Sequence, residues 1–161
     1  MSKRDLWAAP LGEGFLILVA ALVGWATHYP FIFASLGPTA YEQVETPERP
    51  SAHPYNVIVG HIIAVAAGFA AIAAFQAWHA PPVSAHGVPI PRIWTAVLAC
   101  VLTVLATHLA RATQPAALST TLLVSLGIMQ TWVEGGIIVA AVLLMTCLGE
   151  PIRRARIKQG H

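Results

Sequence analysis

Five stretches without a single Asp, Glu, Lys or Arg, residues 14–41, 50–91, 93–110, 112–133 and 135–149, leave this chain little choice but a bilayer. A helix needs about 20 mostly apolar residues to cross a hydrocarbon core of about 30 Å. Only 10% of the residues are charged and 57% are hydrophobic, whereas a soluble domain carries roughly 25% charged residues. The sequence predicts an all-α polytopic membrane protein made of one transmembrane domain over 1–161, with no secretory leader and no second, soluble domain.

In chain order, Met1 to Pro10 reads as a short polar head with Trp7 as an interfacial anchor, and Leu11 to His28 as the first long helix, closed by Pro30. Glu13, near its start, is either solvated at the membrane surface or a proton carrier. Phe31 to Tyr41 is apolar but about half as long as a crossing requires, with Ser35-Leu36-Gly37-Pro38-Thr39 at its centre. Irregular backbone at membrane depth needs cover from protein or water, so this is a short broken or re-entrant segment. The acidic loop from Glu42 to Asn56 is expected to be exposed. Val57 to Trp78 is the second long helix, with Ala66, Ala70 and Ala74 as a packing face. A proline-rich connector leads to the third, Arg92 to Arg111, whose arginines bracket the core and whose His108 shares a face with Arg111. Thr113 to Met129 is again short and broken at Pro115. Trp132 to Gly149 is the fourth long helix, with Pro151 beyond its end.

Four long helices plus two short segments divide into similar halves, approximately 1–80 and 81–161. Ala26-Thr27-His28 recurs as Ala106-Thr107-His108, and Gly37-Pro38-Thr39-Ala40 has a counterpart in Gln114-Pro115-Ala116-Ala117, the pattern of an internal repeat. Short, Gly/Pro-interrupted segments at matching positions point to a transport site. Re-entrant segments give four crossings; spanning ones give six, with inverted halves. Lys3, Arg4, Arg92 and the tail Arg153, Arg154, Arg156 and Lys158 place both termini and the middle loop in the cytoplasm, in a bacterial inner membrane. The tail reads as an ordinary topology flank, so no nucleic acid is expected as a partner. Cys100 and Cys147 lack ligand spacing and read as packing residues, and neither a metal nor another cofactor is expected.

One loop-to-helix junction stands out, Pro54-Tyr55-Asn56-Val57-Ile58-Val59-Gly60-His61. Pro54 fixes the approach, Asn56 is suited to cap the helix start, Gly60 admits a close neighbour and His61 offers a proton-active ring. This stretch resembles the Pro-x-Asn-Val-Ile-x-Gly-His signature of the HPP family of small integral membrane proteins. Ala34 to Ala40 resembles the small-residue segment that precedes it there. The family is named for His-Pro-Pro, in the context His-Pro-Pro-Ala-Gly-Ala-Thr; the matching positions here are Gln114, Pro115, Ala116, Ala117, Leu118, Ser119 and Thr120, so the histidine and the second proline are replaced. The resemblance implies a four-helix membrane protein, with chloroplast members that resemble nitrite transporters.

An anion site also follows from the residues. Pro38 and Pro115 in first helical turns leave partially positive N–H groups directed outward. Ser35, Thr39, Ser119 and Thr120 add neutral donors, Arg111 attracts anions at the mouth, and His61 or His108 can couple a proton. The expected substrate site is therefore Ser35, Gly37, Pro38, Thr39, Asn56, Gly60, His61, His108, Arg111, Gln114, Pro115, Ser119 and Thr120, for a small inorganic anion such as nitrite. In the structural alternative, the hydroxyls bond carbonyls of their own helices, and Arg111 and Glu134 are a structural pair or separate interfacial charges. No nucleophile with a base is apparent, so no enzyme is expected. Rival functions are a non-transporting partner or assembly subunit and, more remotely, haem held by His28, His61 and His108. So few helices enclose little polar volume, which suggests a homo-oligomer.

Overall fold

The computed structural model describes residues 3–158; Met1 and Ser2 of the expected polar head, and residues 159–161, lie outside the described residues. The described residues form seven α-helices and no strand: α1 (Lys3–Thr27), α2 (Leu36–Glu45), α3 (Pro54–Ala74), α4 (Val83–His86), α5 (Ile90–Leu109), α6 (Ala116–Ser125) and α7 (Trp132–Lys158). Short 3-10 turns occupy Pro50–Ala52 and Ala77–His79. The expected all-α polytopic architecture is present, with four helices long and apolar enough to cross a membrane, α1, α3, α5 and α7, and two short ones of 10 residues each, α2 and α6.

Side-chain contacts fix the direction of each helix. A β-carbon on Gly12 of α1 would meet Val44 of α2 and Ile152 of α7. On α3, one at Gly60 would meet Gln114 and Ala117, and one at Gly68 would meet Val124, so α3 and α6 run parallel. Gly135 of α7 faces Phe69 and Val65 of α3, which makes that pair antiparallel. Thr103 of α5 bonds Thr121 of α6, and Arg92 at the start of α5 bonds Ser125 at the end of α6, again antiparallel. The chain thus travels between the two ends of the bundle six times. Each short helix covers about 15 Å at 1.5 Å per residue, and irregular lead-ins over 28–35 and 110–115 supply the rest. With these lead-ins each short segment passes from one end of the bundle to the other and does not turn back.

This arrangement corrects the placement of the middle loop. Residues 3 and 158 lie at one end of the bundle, the terminal end, whereas the connector between α3 and α5 lies at the other, the connector end. Arg92 is not a surface flank. It is fully buried, its guanidinium held by the carbonyls of Ala80 (2.5 Å), Ser125 (3.2 Å) and Pro81 (3.4 Å) and by the side-chain oxygen of Gln130. The bond to Ser125 O serves the C-terminal end of α6, where helix carbonyls lack partners and carry partial negative charge, and the other three tie the start of α5 to the connector and to Gln130. Gly127, with φ of +80°, lies under this guanidinium, and any β-carbon there would come within 2.5 Å of Nη2.

Helix ends also differ from the sequence expectation. α1 begins at Lys3 and runs through Pro10, so the head is helical. α3 starts at Pro54 and stops at Ala74, and Gln76 turns left-handed at φ of +51°. α7 continues through Pro151 to Lys158. Glu150 holds Arg153 at 2.6 Å and Arg154 at 2.7 Å across its last turns. Arg153 donates to Pro47 O (3.0 Å) and Arg156 to Val44 O (3.2 Å), which pins the extension to the C-terminal end of α2. At its start, Thr131 and Glu134 form a reciprocal cap, with Thr131 N donating to Glu134 Oε2 at 2.8 Å and Glu134 N to Thr131 Oγ1 at 3.2 Å. Glu134 therefore belongs to the connector end and does not pair with Arg111.

Two apolar clusters fill the bundle. One joins Leu16 and Ala20 of α1, Leu36 and Val44 of α2, Val57 of α3 and Met145 of α7. The other joins Phe69 and Ile72 of α3, Val124 of α6 and Ile138 of α7. Phe31 and Phe33, in the lead-in to α2, pack against both. Small residues set the helix separations, because lipid supplies no hydrophobic drive for helices to associate and close packing must do so. Gly60 and Gly68 are such residues: a β-carbon at either would come within 2.7 Å of an α6-side side chain.

Candidate functional site

Ser35 is the N-cap of α2, yet its side chain caps nothing. Its hydroxyl lies 2.7 Å from the hydroxyl of Thr120 on α6, both buried, and this pair ties the two short helices together across 85 residues of sequence. One turn on, Thr39 donates to the carbonyl of Ser35 at 2.8 Å and presents its oxygen 3.4 Å from Nε2 of His61. His61 is fully buried on α3, and Nδ1 donates to the carbonyl of Val57 at 2.8 Å. That bond places the proton of a neutral ring on Nδ1 and leaves Nε2 facing Thr39.

On the other side of Gly60, Gln114 lies against the α3 backbone where a larger residue would collide. Gly60 therefore does admit a close neighbour, and the neighbour is the residue matched to the histidine of the family motif. Gln114 is 5% exposed, and its side chain reaches the Glu42 carboxylate. The short helices run in opposite senses, and their N-terminal turns overlap near His61, roughly one turn short of the middle of α3. The first turns of both short helices lie at this seam, with Ser35, Ala116 and Ala117 buried, while buried arginines hold both C-terminal ends. Partial positive charge is concentrated inside and partial negative charge is compensated at the ends.

Of the thirteen residues expected in the site, Ser35, Thr39, Gly60, His61, Gln114 and Thr120 meet at the seam. Asn56 adjoins it but is not a cap: it lies within the first turn of α3, and its amide donates to the carbonyl of Pro50 at 2.5 Å, while His53 takes the N-cap position. Gly37 is half-buried, and a β-carbon added to it would have no neighbour within 4 Å. Pro38 and Pro115 are exposed, the latter as the N-cap of α6, and Ser119 is half-buried. His108 and Arg111 form a second group. Arg111 has left the helix at φ of +51°, yet it still lines a groove of about 580 Å³ with His108, Thr107, Gln114 and Pro115 at the terminal end. Gln114 belongs to both the seam and this groove. The three histidines named for haem are apart: His28 is exposed at the connector end, His61 is in the seam and His108 is exposed at the terminal end.

Hydroxyl behaviour is divided. Thr121 bonds both its own helix, at Ala117 O (3.1 Å), and Thr103 of α5 (2.8 Å), as structural residues do. Ser35 and Thr120 bond each other. Sequence reasoning missed Glu42, which is half-buried on α2 beside Ser51 and Gln114 and does not belong to an exposed loop. Its spacing of three from Thr39 puts both on one face of a helix, a signal that appears once α2 is extended to Glu45.

No curated protein and no solved structure matched the chain. The family model described as HPP, transmembrane region, matches residues 1–152. Together with the four apolar spans and the Asn56 to His61 junction at the seam, this match shows that the chain is an integral membrane protein belonging to the HPP family.

Proposed function

We propose that the protein carries a small inorganic anion of the nitrite type through the seam between α2 and α6. The observation that carries this reading is the hydroxyl pair of Ser35 and Thr120, set at 2.7 Å where the first turns of the two short helices overlap. An anion there replaces one hydroxyl as acceptor and takes donors from both, with the helix dipoles favouring negative charge. His61 offers the anion a donor at Nε2 once that nitrogen takes up a proton, and Arg111 and His108 draw anions to the terminal end. In this reading the two long-short-long halves are inverted repeats and the terminal end, rich in Arg153, Arg154, Arg156 and Lys158, is cytoplasmic. Copies of the chain associate through the outward faces of α1 and α5, which carry exposed Leu18, Leu22, Trp94 and Val97.

Proteoliposomes test it. The pure protein is expected to admit nitrite faster than empty liposomes and to distinguish it from nitrate, formate and chloride. His61→Ala, which removes the nitrogen that donates to the anion when protonated, is expected to lower the initial rate about tenfold, the equivalent of one charged hydrogen bond of about 1.5 kcal/mol. If the folded, reconstituted protein passes none of these anions above the empty-liposome rate, transport is excluded and a non-transporting membrane partner becomes the better account.

A further inference from the structure

The last turns of α7 divide their cations between two faces. Arg153 and Arg156 are buried and reach the carbonyls of Pro47 and Val44, so they hold the fold together. Arg154 and Lys158 are exposed, and the side chain of Arg154 is 72% accessible. Its bond to Glu150, 2.7 Å, does not cancel its charge locally, because the same carboxylate already takes Arg153 at 2.6 Å. Glu150 and its two arginines together keep a net positive charge.

Between this face of α7 and the start of α3 runs a groove of about 680 Å³ that changes character along its length. Cys147, Pro151, Arg154 and Lys158 recur at helical spacing and form its α7 wall, about 16 Å from first to last at 1.5 Å per residue. Pro54 and Ile58, one turn apart, form the α3 wall, with Ile58 the deeper. Thr146 lies at the deep end, but its hydroxyl donates to the carbonyl of Val142 at 2.7 Å, so the deep end is apolar in behaviour. The shallow end carries the two cations.

The bilayer gives this gradient a meaning. α7 has 27 residues and is about 40 Å long, against a hydrocarbon core of about 30 Å. With the exposed Trp132 at one interface, the helix leaves the core about 20 residues on, before Arg154 and Lys158. Those cations then stand at headgroup depth, while Cys147 and Ile58 remain at the depth of acyl chains.

We infer that the groove binds an anionic glycerophospholipid, its phosphate between Arg154 and Lys158 and one acyl chain laid along Pro151, Cys147 and Ile58. Charge complementarity selects the sign of the headgroup, and the first turn of α3, which has no side-chain cap, adds partial positive charge at the same end. The apolar wall selects a lipid over a free phosphate, since only a chain can pack along it. Basic residues that merely set topology need no groove beside them. None of these residues belongs to the anion seam, and the lipid site stands or falls without it.

Native mass spectrometry of the pure, full-length protein in detergent tests this, with phosphatidylglycerol and phosphatidylcholine of the same acyl chains as probes. The first phosphatidylglycerol is expected to bind about tenfold or more tighter than phosphatidylcholine, as two basic residues at the headgroup level provide. Arg154→Gln/Lys158→Gln is expected to bring it to the phosphatidylcholine value. Arg49→Gln/Arg111→Gln, which removes equal charge from the same end outside the groove, is expected to keep the wild-type preference. Ala155→Trp fills the groove with both cations in place and is expected to weaken phosphatidylglycerol about tenfold; glycerol 3-phosphate, the headgroup without chains, is expected not to displace it. The site is overturned if the wild type does not prefer the anionic lipid, or if the two double variants weaken it equally, the result of a surface charge effect only. It is overturned equally if folded Ala155→Trp binds as wild type does, or if glycerol 3-phosphate displaces the lipid mole for mole. Should Ala155→Trp fail to fold, the two charge variants, all on exposed side chains, decide.

Discussion

Arg92→Ala is expected to destabilise the protein by about 3–5 kcal/mol, the largest loss of stability expected from a single substitution. The side chain is fully buried and donates to Ala80, Pro81, Ser125 and Gln130, so its removal strands several acceptors at once and opens a cavity against Gly127. Water cannot freely reach those carbonyls, and each unsatisfied one costs about 1–3 kcal/mol. Arg92→Lys keeps the charge but replaces a planar fork with one compact ammonium, and is expected to recover part of the loss. Thermal unfolding in detergent checks this: a melting temperature for Arg92→Ala equal to that of wild type contradicts the structural role.

Thr120→Val is expected to show the largest functional loss with the smallest structural one. Valine keeps the shape of threonine and removes the hydroxyl that faces Ser35 at 2.7 Å. Stability is expected to fall by about 1 kcal/mol, the usual net value of one neutral hydrogen bond. An anion held between the two hydroxyls loses a donor worth about 1.5–3 kcal/mol, so nitrite uptake is expected to drop about ten- to a hundredfold. Ser35→Ala is expected to do the same, and the double variant to add little, because both residues serve one contact. Unchanged uptake by folded Thr120→Val removes this pair from the pathway.

The long helices are legible in the sequence because a run of about 20 uncharged residues has few other fates in water or lipid. Pro38 and Pro115 likewise mark the two broken segments, because each sits at the start of a short helix, where proline removes no intrahelical hydrogen bond. What local sequence does not reveal is which arginine is buried. Arg92 sits at the edge of an apolar run, as a topology flank does, and its burial depends on carbonyls 11, 12 and 33 residues away. The extension of α7 past Pro151 depends in the same way on Val44 and Pro47, more than 100 residues distant. Six of the candidate site residues meet because Gly60 and the short helices force them together. Glu42 escapes notice because an acidic, proline-flanked stretch has the composition of an exposed loop, and only the helical spacing from Thr39 places it inside. Ser35 and Thr120 both read as donors; that they face each other is a long-range fact.

The most direct measurement asks whether an anion occupies the seam. In a background of Cys100→Ala and Cys147→Ala, Thr120→Cys places one thiol between the short helices, and a small membrane-impermeant thiol reagent reports its accessibility. The seam account predicts that the reagent reaches this thiol during turnover and that saturating nitrite slows the reaction, while an anion the protein does not carry leaves it unchanged. A thiol that never reacts from either side of the membrane, or one whose reaction nitrite does not slow, contradicts the account.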